Sequence, residues 1–534
     1  MNRLKQILVG IGVADLSSIV NENLVNQLNE IGESINADLI AEIIITQNGI
    51  NCLKDKRLRR LIYHSYSQDR LIAYGFDGLD SMNFQWGDNN KTHNFLTALQ
   101  IDDLFVSDKE SAPEKNSTEI NKPLYKYQNH VRKQIYDFLI SDQKKRVMVH
   151  MPTGAGKTRT MLEAASDFMR YVSDKSFVVV WLAHSRELCD QAVNSFIDVW
   201  EKLGNSDARI IRLWEGRPLE DINPDGPTFV VASFDTAYSL TVAHDDSRFE
   251  YFSKIRMMNK LLIVDEAHQS IAPTYQSAIE FLSNHYTKIV GLSATPGRHH
   301  LNQTDDESLM LSEFYENNKI NIVDDDGQHL ENPIQFLTEK EILSNVEFLA
   351  IDNSDNEICL TEREKDYMST HLDLPPSVLE KLGQDSLRTQ KIISQVIHLV
   401  HERRLPTIVF APSKDSADVM SILLKLHDVK AESITGETPK IKRRESIELF
   451  KDNKIQVLVN YGVLTTGFDA PNIEAVVIAR PTTSVVLYSQ MIGRGLRGKK
   501  MGGVQNCIIV NVKDNLTNMP ENEQAFLFFE NSWN

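Results

Sequence analysis

The chain has 534 residues, of which 41% are hydrophobic and 25% are charged, a composition typical of folded globular proteins. Its formal net charge of −17 at pH 7 excludes a protein that coats nucleic acid along its whole length, but not one with a local basic groove. The longest apolar runs, such as residues 7–13, are far shorter than the roughly 20 residues that cross a bilayer, so no membrane partner is expected.

The 4 cysteines lie far apart without C-x-x-C spacing, so neither a zinc site nor a disulfide framework is expected. No signal peptide is visible at the N-terminus, because Asp15 and Glu22 follow the first apolar run without a small-residue cleavage site. Together these features predict a cytoplasmic location.

Residues 1–106 mix apolar runs with helical patterns and predict a small N-terminal accessory domain, either mixed α/β or α-rich. Its sharpest feature is the basic run Lys54–Arg60, in a segment that is otherwise acidic. Two interpretations remain open for this run, a helix face that contacts DNA and a solvated helix. Residues 107–122 are polar with almost no large apolar side chain, which predicts a linker.

Two α/β blocks follow, in which short apolar strands alternate with amphipathic helices. This alternation predicts parallel sheets with helices on both faces. The first block, residues 123–300, has predicted strands at 147–150, 177–182, 228–232, 261–264 and 288–292. The second block, residues 301–513, has predicted strands at 407–411, 431–435, 457–460, 475–479 and 506–510. The aromatic tail, residues 514–534, is expected to pack on the second block.

A candidate phosphate-binding loop, PTGAGKT at residues 152–158, follows the first strand of the first block and precedes a helical pattern. Its backbone N–H groups and the helix N-terminus would face phosphates, which assigns Thr153, Gly154, Ala155 and Gly156 to nucleotide binding. Lys157 would neutralise the terminal phosphates and Thr158 would ligate Mg²⁺. The strict pattern has Gly where this chain has Met151, so a second element is needed to establish the site.

That second element is an apolar strand, Leu261–Val264, that ends in two adjacent carboxylates, Asp265 and Glu266. Ligands of parallel sheets lie at the carboxyl ends of the strands, so both carboxylates would face the phosphates. Asp265 would hold Mg²⁺ and Glu266 would polarise the attacking water. The two elements in one sheet predict an ATP site.

The motif strings along the chain resemble those of one family. They are, in order, LYKYQ (124–128), PTGAGKT (152–158), LAHSREL (182–188), DEAH (265–268), SATP (293–296), IVFAPS (408–413), TGETP (435–439), LTTGFDAP (464–471) and QMIGRGLRG (490–498). The set resembles the superfamily 2 DEAH-box helicases and translocases, and its last motifs are most similar to the RadD-type bacterial DNA helicases. XPB, UvsW and the motor subunits of restriction enzymes are wider relatives. The resemblance implies two tandem RecA-like domains after the N-terminal domain.

The resemblance also implies roles for single residues. Gln128 would contact adenine, and Gly467 and Asp469 would approach the nucleotide from the second lobe. Arg494 and Arg497 would reach the γ-phosphate across the cleft, where a guanidinium stabilises transition-state charge. The residues that would couple the nucleotide site to nucleic acid are Ser293, Thr295 and Gln490.

Nucleic-acid contact in this family falls on loops of both lobes. The matching positions are Ala183, His184, Ser185, Arg186, Ser233, Pro412, Ser413, Thr435, Gly436 and Thr465. Small hydroxyls and backbone N–H groups can hold phosphate oxygens without reading bases. The expected partner is therefore DNA, single-stranded or branched duplex, bound without sequence preference.

The leading hypothesis is an ATP-dependent DNA helicase or translocase in DNA repair, restriction or phage defence. One alternative is an ATPase switch or scaffold that recruits a nuclease or another protein through residues 1–106 without strand separation. A second alternative is an RNA helicase. Two departures from the family pattern limit what is carried over. Tyr125 and Lys126 replace the usual Arg and Pro before Tyr-Gln. The residues given after the last motif are not cysteine-rich as the C-terminal extension of RadD relatives is, so no function of that extension is carried over.

Overall fold

The computed structural model of the chain describes residues 2–20, 28, 35–87, 89–101, 123–174, 176–214, 222, 226–241, 246–294, 306–371, 373–463 and 472–517. Several predicted features lie outside these ranges, namely the linker 107–122, the tail beyond residue 517, and the site residues Thr295, Thr465, Gly467 and Asp469. Within the described ranges, no helix has the length and apolarity required to cross a membrane.

The first lobe is built on a seven-stranded parallel sheet with the order β3-β4-β2-β5-β6-β1-β7. Its strands are β1 (Arg146–His150), β2 (Phe177–Ala183), β3 (Arg209–Leu213), β4 (Pro227–Ser233), β5 (Asn259–Val264), β6 (Lys288–Ser293) and β7 (Lys319–Asn321). Every residue of β2 is buried, as in a sheet that helices cover on both faces. Strand β7 pairs with β1, so the first sheet extends beyond the predicted boundary at residue 300, and that boundary is corrected.

The second lobe holds a six-stranded parallel sheet with the order β10-β11-β9-β12-β13-β8. Its strands are β8 (Asn345–Cys359), β9 (Thr407–Phe410), β10 (Ala431–Ile434), β11 (Val457–Asn460), β12 (Ala475–Ile478) and β13 (Asn506–Thr517). The long edge strand β8 was not predicted, and β13 continues past residue 513 because it pairs with β8 along most of its length. The two parallel sheets confirm the predicted pair of RecA-like domains.

Helices occupy the connections between the strands of both lobes. In the first lobe they are α7 (Lys126–Ile140), α8 (Lys157–Tyr171), α9 (Arg186–Leu203), α10 (Phe234–Thr241), α11 (Asp246–Met258), α12 (Pro273–Leu282) and α13 (Asp306–Phe314). Next along the chain come α14 (Pro333–Glu339), α15 (Glu362–His371), α16 (Pro376–Gln384), α17 (Ser386–His401), α18 (Lys414–Leu426), α19 (Lys440–Lys451) and α20 (Val485–Ile492). Strand, helix and parallel strand in alternation give the layered α/β arrangement that the sequence predicts.

The regular elements in the described residues of the N-terminal domain are all helical. Its α-helices are α1 (Asn2–Val9), α2 (Val13–Ser17), α3 (Ala37–Asn48), α4 (Lys56–Ser65), α5 (Gln68–Ala73) and α6 (Asn90–Leu99). Short 3₁₀ segments lie at Gly49–Lys54 and Leu79–Asn83. Of the two predicted classes for this domain, the structure therefore shows the α-rich one.

The N-terminal domain packs against the second lobe, although the first lobe follows it along the chain. One continuous apolar core contains residues of both, among them Ile44 of α3 and Leu423 of α18. Lys442 of α19 extends this contact, because its Nζ donates to the carbonyl oxygens of Ile45 at 3.2 Å and Thr46 at 2.8 Å. These carbonyls lie near the C-terminus of α3, where a cation is favourable.

Within the basic run Lys54–Arg60, Arg59 is a cation with a structural role. Arg59 is fully buried, and its guanidinium donates to four carbonyl oxygens. These acceptors belong to Leu53, Lys54, Met82 and Phe84, at distances of 2.6 to 3.0 Å. Arg59 also lies over the ring of Phe84 at 4.4 Å, so it holds α4 against the segment around residues 82–84.

Candidate active site

The phosphate-binding loop connects β1 to α8, which begins at Lys157. Gly154 and Gly156 have φ angles of 85° and 80°, in the left-handed region that favours glycine. Met151, where the strict pattern has glycine, is fully buried in the core beneath the loop. Met151 therefore packs in the apolar core. The loop still leads into the N-terminus of α8, as the strict pattern requires.

Gln128 lies beside this loop, at the start of α7. Its Oε1 accepts a hydrogen bond from the Tyr125 backbone N–H at 2.9 Å, and its Nε2 donates to the Ala155 carbonyl at 3.1 Å. The Tyr127 hydroxyl donates to the same carbonyl at 2.9 Å. A Cβ on Gly156 would overlap the Gln128 amide, so the loop and this amide are in close contact. The structure therefore places Gln128 next to the nucleotide loop.

The two carboxylates lie just beyond β5. The backbone N–H of Asp265 donates to the Leu182 carbonyl at 2.9 Å, which continues the sheet ladder to the carboxyl edge. Glu266 has a φ of 51°, a left-handed conformation that a side chain rarely adopts. Its carboxylate lies 4.0 Å from Lys157 Nζ and 3.4 Å from His268 Nδ1. This places Glu266 between the loop lysine and the histidine of the DEAH string.

Burial and neighbouring charges shift the pKa values of this pair in opposite directions. Burial is the main cause that raises the pKa of Asp265 to about 6, and Lys157 opposes the shift. Burial also acts to raise the pKa of Glu266, but Lys157, His268, Gln490 and Arg494 together lower it. Glu266 is therefore the stronger acid and stays ionised at neutral pH, as a group that polarises water requires.

Two of the residues around Glu266 come from the second lobe. Gln490 on α20 donates a side-chain hydrogen bond to Glu266, and Arg494 follows that helix and interacts with the same carboxylate. Burial lowers the pKa of Arg494 to about 10, so its guanidinium remains charged at pH 7. The lobes are in close contact here, because a Cβ on Gly493 would overlap Thr153 of the phosphate-binding loop.

Arg497, the other predicted arginine, lies in a different setting. Its backbone forms an isolated β-bridge with Leu343, and its carbonyl accepts a hydrogen bond from Ser344 Oγ at 2.8 Å. Burial lowers the pKa of Arg497. Of the two arginines, Arg494 is the one for which an interaction with Glu266 is seen.

Ser293 ends β6, the strand that lies between β5 and β1 in the sheet. It is buried, stands opposite His150 in the register, and its carbonyl accepts a hydrogen bond from the Met151 N–H at 3.1 Å. Ser293 is thus located between the carboxylate pair and the phosphate-binding loop, where a coupling residue is expected.

The residues predicted to ligate Mg²⁺ offer one buried carboxylate, on Asp265, and the hydroxyl of Thr158 at the start of α8. Mg²⁺ usually takes one or two protein carboxylates and completes its shell with phosphate oxygens and water. Among the described residues, no group of three or more His, Cys, Asp or Glu side chains could hold a metal ion. The donor set therefore fits an ion held jointly with a nucleotide.

Three predicted nucleic-acid contacts are serines at helix N-termini. Each hydroxyl accepts a hydrogen bond from a backbone N–H in the first turn of α9, α10 or α18, at 3.1 to 3.3 Å. The serines are Ser185, Ser233 and Ser413. Ser233 is the last residue of β4, and the other two follow the carboxyl ends of β2 and β9. Helix N-termini with free backbone donors are suited to phosphate groups.

The remaining predicted contacts differ in accessibility. The side chains of Ala183, Pro412 and Thr435 are buried, so these residues can offer only backbone groups to a ligand. Gly436 is exposed, and so is His184, whose ring stacks on Tyr275 with its Nδ1 2.6 Å from the tyrosine hydroxyl. Arg186 lies 3.4 Å from Asp190 on the same helix. Tyr275, on α12, was not predicted, since nothing in the motif strings points to it.

Two protein families match the chain. The family described as type III restriction enzyme, res subunit, matches residues 121–298, and the helicase conserved C-terminal domain matches residues 390–499. IRC3 of Saccharomyces cerevisiae, named as a candidate ATP-dependent helicase, is 26% identical over 364 residues, 66% of this chain and 46% of that protein. Its namesake in Schizosaccharomyces pombe, named as a candidate mitochondrial ATP-dependent helicase, is 28% identical over 388 residues, 70% of this chain and 54% of that protein.

The chain spans about half the length of these curated relatives. Among solved structures, the ATP-dependent type ISP restriction-modification enzyme LlaBIII bound to DNA is similar with a TM-score of 0.52. The likeness covers 77% of this chain and 30% of that one at 16% identity, and it shows the fold alone. From the two family matches and the helicase relatives, the chain belongs to the superfamily 2 helicases and carries the two domains of an ATPase of that family.

Proposed function

We propose that this chain is an ATP-dependent DNA helicase or translocase that moves on DNA without reading its sequence. The observation that carries the proposal is the shared environment of Glu266. Lys157 approaches it from the first lobe, whereas Gln490 and Arg494 reach it from the second. Hydrolysis would therefore depend on contact between the lobes, which is what a motor needs to couple chemistry to movement.

Each residue of the site has a chemical task in this proposal. Lys157 neutralises the terminal phosphates, and Glu266 orients and polarises the attacking water. Arg494 stabilises the charge that develops on the transferring phosphoryl group. ATP is the nucleotide, and Mg²⁺, held by Thr158 and Asp265, would neutralise phosphate charge when bound.

Contacts to the nucleic-acid backbone would come from the loops at the carboxyl ends of the strands. The capping serines Ser185, Ser233 and Ser413 stand on both lobes, and each lies where a helix begins at the carboxyl end of a strand of its own sheet. Such groups hold phosphates and carry no sequence information. A strand that spans both lobes would favour their closure, and hydrolysis would reopen the cleft.

DNA is preferred over RNA because the last motifs are RadD-like and the first lobe matches a restriction-enzyme family. The same features favour a role in DNA repair, restriction or phage defence, with single-stranded or branched DNA as the partner. Cytoplasmic location remains part of this proposal.

The alternative of an ATPase switch is kept because the N-terminal domain is fixed to the second lobe. A protein partner bound to that domain would sense closure of the lobes without any strand separation. An RNA helicase is the second alternative, since the helix N-termini would accept either backbone.

A steady-state ATPase assay beside a strand-displacement assay separates these functions. The wild type should be stimulated by single-stranded DNA, should respond less to RNA, and should unwind a forked duplex, with Lys157→Ala as the inactive control. Stimulation by RNA alone would favour the RNA helicase. Equal rates with and without nucleic acid, and no strand displacement, would contradict the motor and favour the switch.

A further inference from the structure

Helix α4 of the N-terminal domain presents cations on one exposed face. Lys56, Arg57 and Arg60 are exposed, and at 100° per residue they fall within about a third of the helix circumference. Lys54, in the preceding 3₁₀ segment, is exposed as well. These four residues form the basic face. Within the described part of the chain, none of them takes part in an ion pair, although the chain carries a net charge of −17.

The basic face is held in a fixed position by residues on the opposite side of α4. Leu58 and Ile62 are buried in the apolar core, and Arg59 bonds to carbonyls around residues 82–84. The neighbouring cations therefore need not contribute to folding. Their orientation is nonetheless defined, which favours binding because little ordering is required when a ligand arrives.

The basic face lies next to a loop of the second lobe. Lys54 and Asp55 line one side of a cleft, and Glu437 and Pro439 line the other. The second pair belongs to the segment that begins with Thr435 and Gly436, two of the predicted nucleic-acid contacts. This proximity is stable, since α19, which starts directly after Pro439, places Lys442 on the C-terminus of α3.

The two carboxylates in the cleft are both engaged with other groups. Asp55 Oδ1 accepts a hydrogen bond from the Arg57 backbone N–H at 2.7 Å and so caps α4. Glu437 pairs with Lys414 of the second lobe. Asp55 keeps its charge, but the four cations of the basic face outnumber it, so the field over this end of α4 is positive and a polyanion is the ligand class that complements it.

We propose that the basic face extends the nucleic-acid path of the second lobe, so that the phosphate backbone passes from the Thr435–Gly436 loop onto α4. This inference rests on the proposed function, because it requires that nucleic acid reaches that loop. The N-terminal domain then enlarges the nucleic-acid binding site and increases the salt dependence of nucleic-acid binding. Base recognition is not expected, since exposed lysine and arginine side chains on a helix face suit phosphates.

The test compares two charge-matched variants of the full chain. The first carries Lys56→Gln and Arg60→Gln on the basic face. The control carries Arg404→Gln and Lys430→Gln, which remove two exposed cations at the opposite, amino-terminal edge of the second sheet. Binding of poly-dT oligonucleotides of increasing length is measured by fluorescence anisotropy with a non-hydrolysable ATP analogue, across a salt titration.

We expect the first variant to lower the slope of log affinity against log salt by about 1.5, from two lost phosphate contacts. Its affinity for long oligonucleotides should fall about 10-fold at 0.1 M salt, and the affinity should stop rising at a shorter length than in the wild type. The turnover of ATP at saturating DNA should stay unchanged, because both substituted residues lie outside the nucleotide site.

Two results would overturn the inference. If both variants lose the same affinity, the loss reflects the change in net charge and not a contact on α4. If neither variant changes the salt slope or the length dependence, α4 does not contact the DNA backbone. A wild type that fails to bind DNA under any salt condition would instead contradict the proposed function, and the extended path with it.

Discussion

The second lobe makes two contacts that differ in their content of buried charge. Toward the N-terminal domain it shares a continuous apolar core, supplemented by Lys442 on the C-terminus of α3. Toward the first lobe it also shares apolar packing, but there it adds a buried amide and a buried charge, Gln490 and Arg494, beside Glu266. Apolar burial does not depend on a ligand, whereas buried charges are stabilised only while their partners are present. The contact with the N-terminal domain is thus suited to persist, and the contact with the first lobe is suited to form and break during each round of ATP hydrolysis.

This difference predicts that the N-terminal domain moves as one body with the second lobe whenever the lobes separate. Substitutions at the first contact should lower stability and leave catalysis intact. Substitutions at the second should abolish catalysis and leave the fold intact.

The largest effect is expected from Glu266→Gln, which removes the central charge of the polar contact. Glutamine keeps the shape of the side chain, so ATP should still bind while turnover falls by about 100-fold or more. Circular dichroism should be unchanged, and a nucleic-acid complex should accumulate with ATP. Failure to bind ATP would show that Glu266 has a structural or metal-binding role instead.

Next in size is Arg59→Met, which tests the core of the N-terminal domain. The change leaves buried carbonyls of Leu53, Met82 and Phe84 without a donor, and it should cost about 3 kcal/mol or more. Hydrogen exchange of the α4 amides in the full chain would report this loss. Arg60→Met on the exposed side of the same helix is the matched control, with a change within about 0.5 kcal/mol. Equal exchange in the two variants would contradict the role given to Arg59.

A smaller effect is expected from Lys442→Met at the contact between the N-terminal domain and the second lobe. The Thr46 carbonyl loses its Lys442 donor, and the Ile45 carbonyl keeps only the Gly49 N–H, which should cost about 1 to 3 kcal/mol and expose α3 to exchange or proteolysis. Lys425→Met is the control, because its contacts with the N-terminal domain are long, at 3.8 Å to Glu42 and 3.5 Å to Thr46 Oγ1, and its closer ion pair, with Glu432, lies within the second lobe. DNA-stimulated ATPase should persist in both. Loss of turnover in the first variant alone would show that the domain contact takes part in catalysis.

The smallest effect concerns pH. Burial raises the pKa of Asp265 to about 6, so the ligand-free fold takes up this proton at a higher pH than the unfolded chain. Protonation relieves the cost of burying the charge, so this group makes the ligand-free fold more stable as pH falls through about 6. Binding of Mg²⁺ with ATP needs the ionised form and should weaken over the same range, by up to about 10-fold per pH unit. Thermal unfolding of the ligand-free wild type and Asp265→Asn across this pH range checks the stability effect, since the variant should lack it. Calorimetric titration of the wild type with Mg²⁺ and ATP, corrected for the protonation of ATP itself, checks the binding effect.

The sequence predicted the central strands well because their apolar runs are nearly continuous, as in Phe177–Ala183. Strands β3 and β7 were missed because one carries arginine at Arg209 and Arg212 and the other has only three residues. The edge strand β8 was missed because acidic residues interrupt it. Edge strands face solvent on one side, so their composition is closer to that of loops.

In the nucleotide site, motif spacing predicted which residues belong together but not how they are arranged. Arg494 and Arg497 are equivalent in the string QMIGRGLRG, and only the fold shows Arg494 beside Glu266. Likewise, composition cannot distinguish Arg59 from Arg60, although one is fully buried and the other exposed. The contact of the N-terminal domain with the second lobe depends on residues almost 400 positions apart, such as Lys442 and Thr46, and no local pattern encodes it.

The central claim is that an arginine of the second lobe completes the nucleotide site when nucleic acid holds the lobes together. Steady-state ATPase with and without single-stranded DNA, for the wild type and Arg494→Ala, tests it most directly. Arg480→Ala is the control, since that arginine pairs with Asp373.

The wild type and the control should be stimulated by DNA. Arg494→Ala should bind ATP with near wild-type affinity and lose about 1,000-fold in DNA-saturated turnover. A variant that is still stimulated to within 10-fold of the wild type, or a wild type whose rate is the same with and without DNA, would contradict the claim.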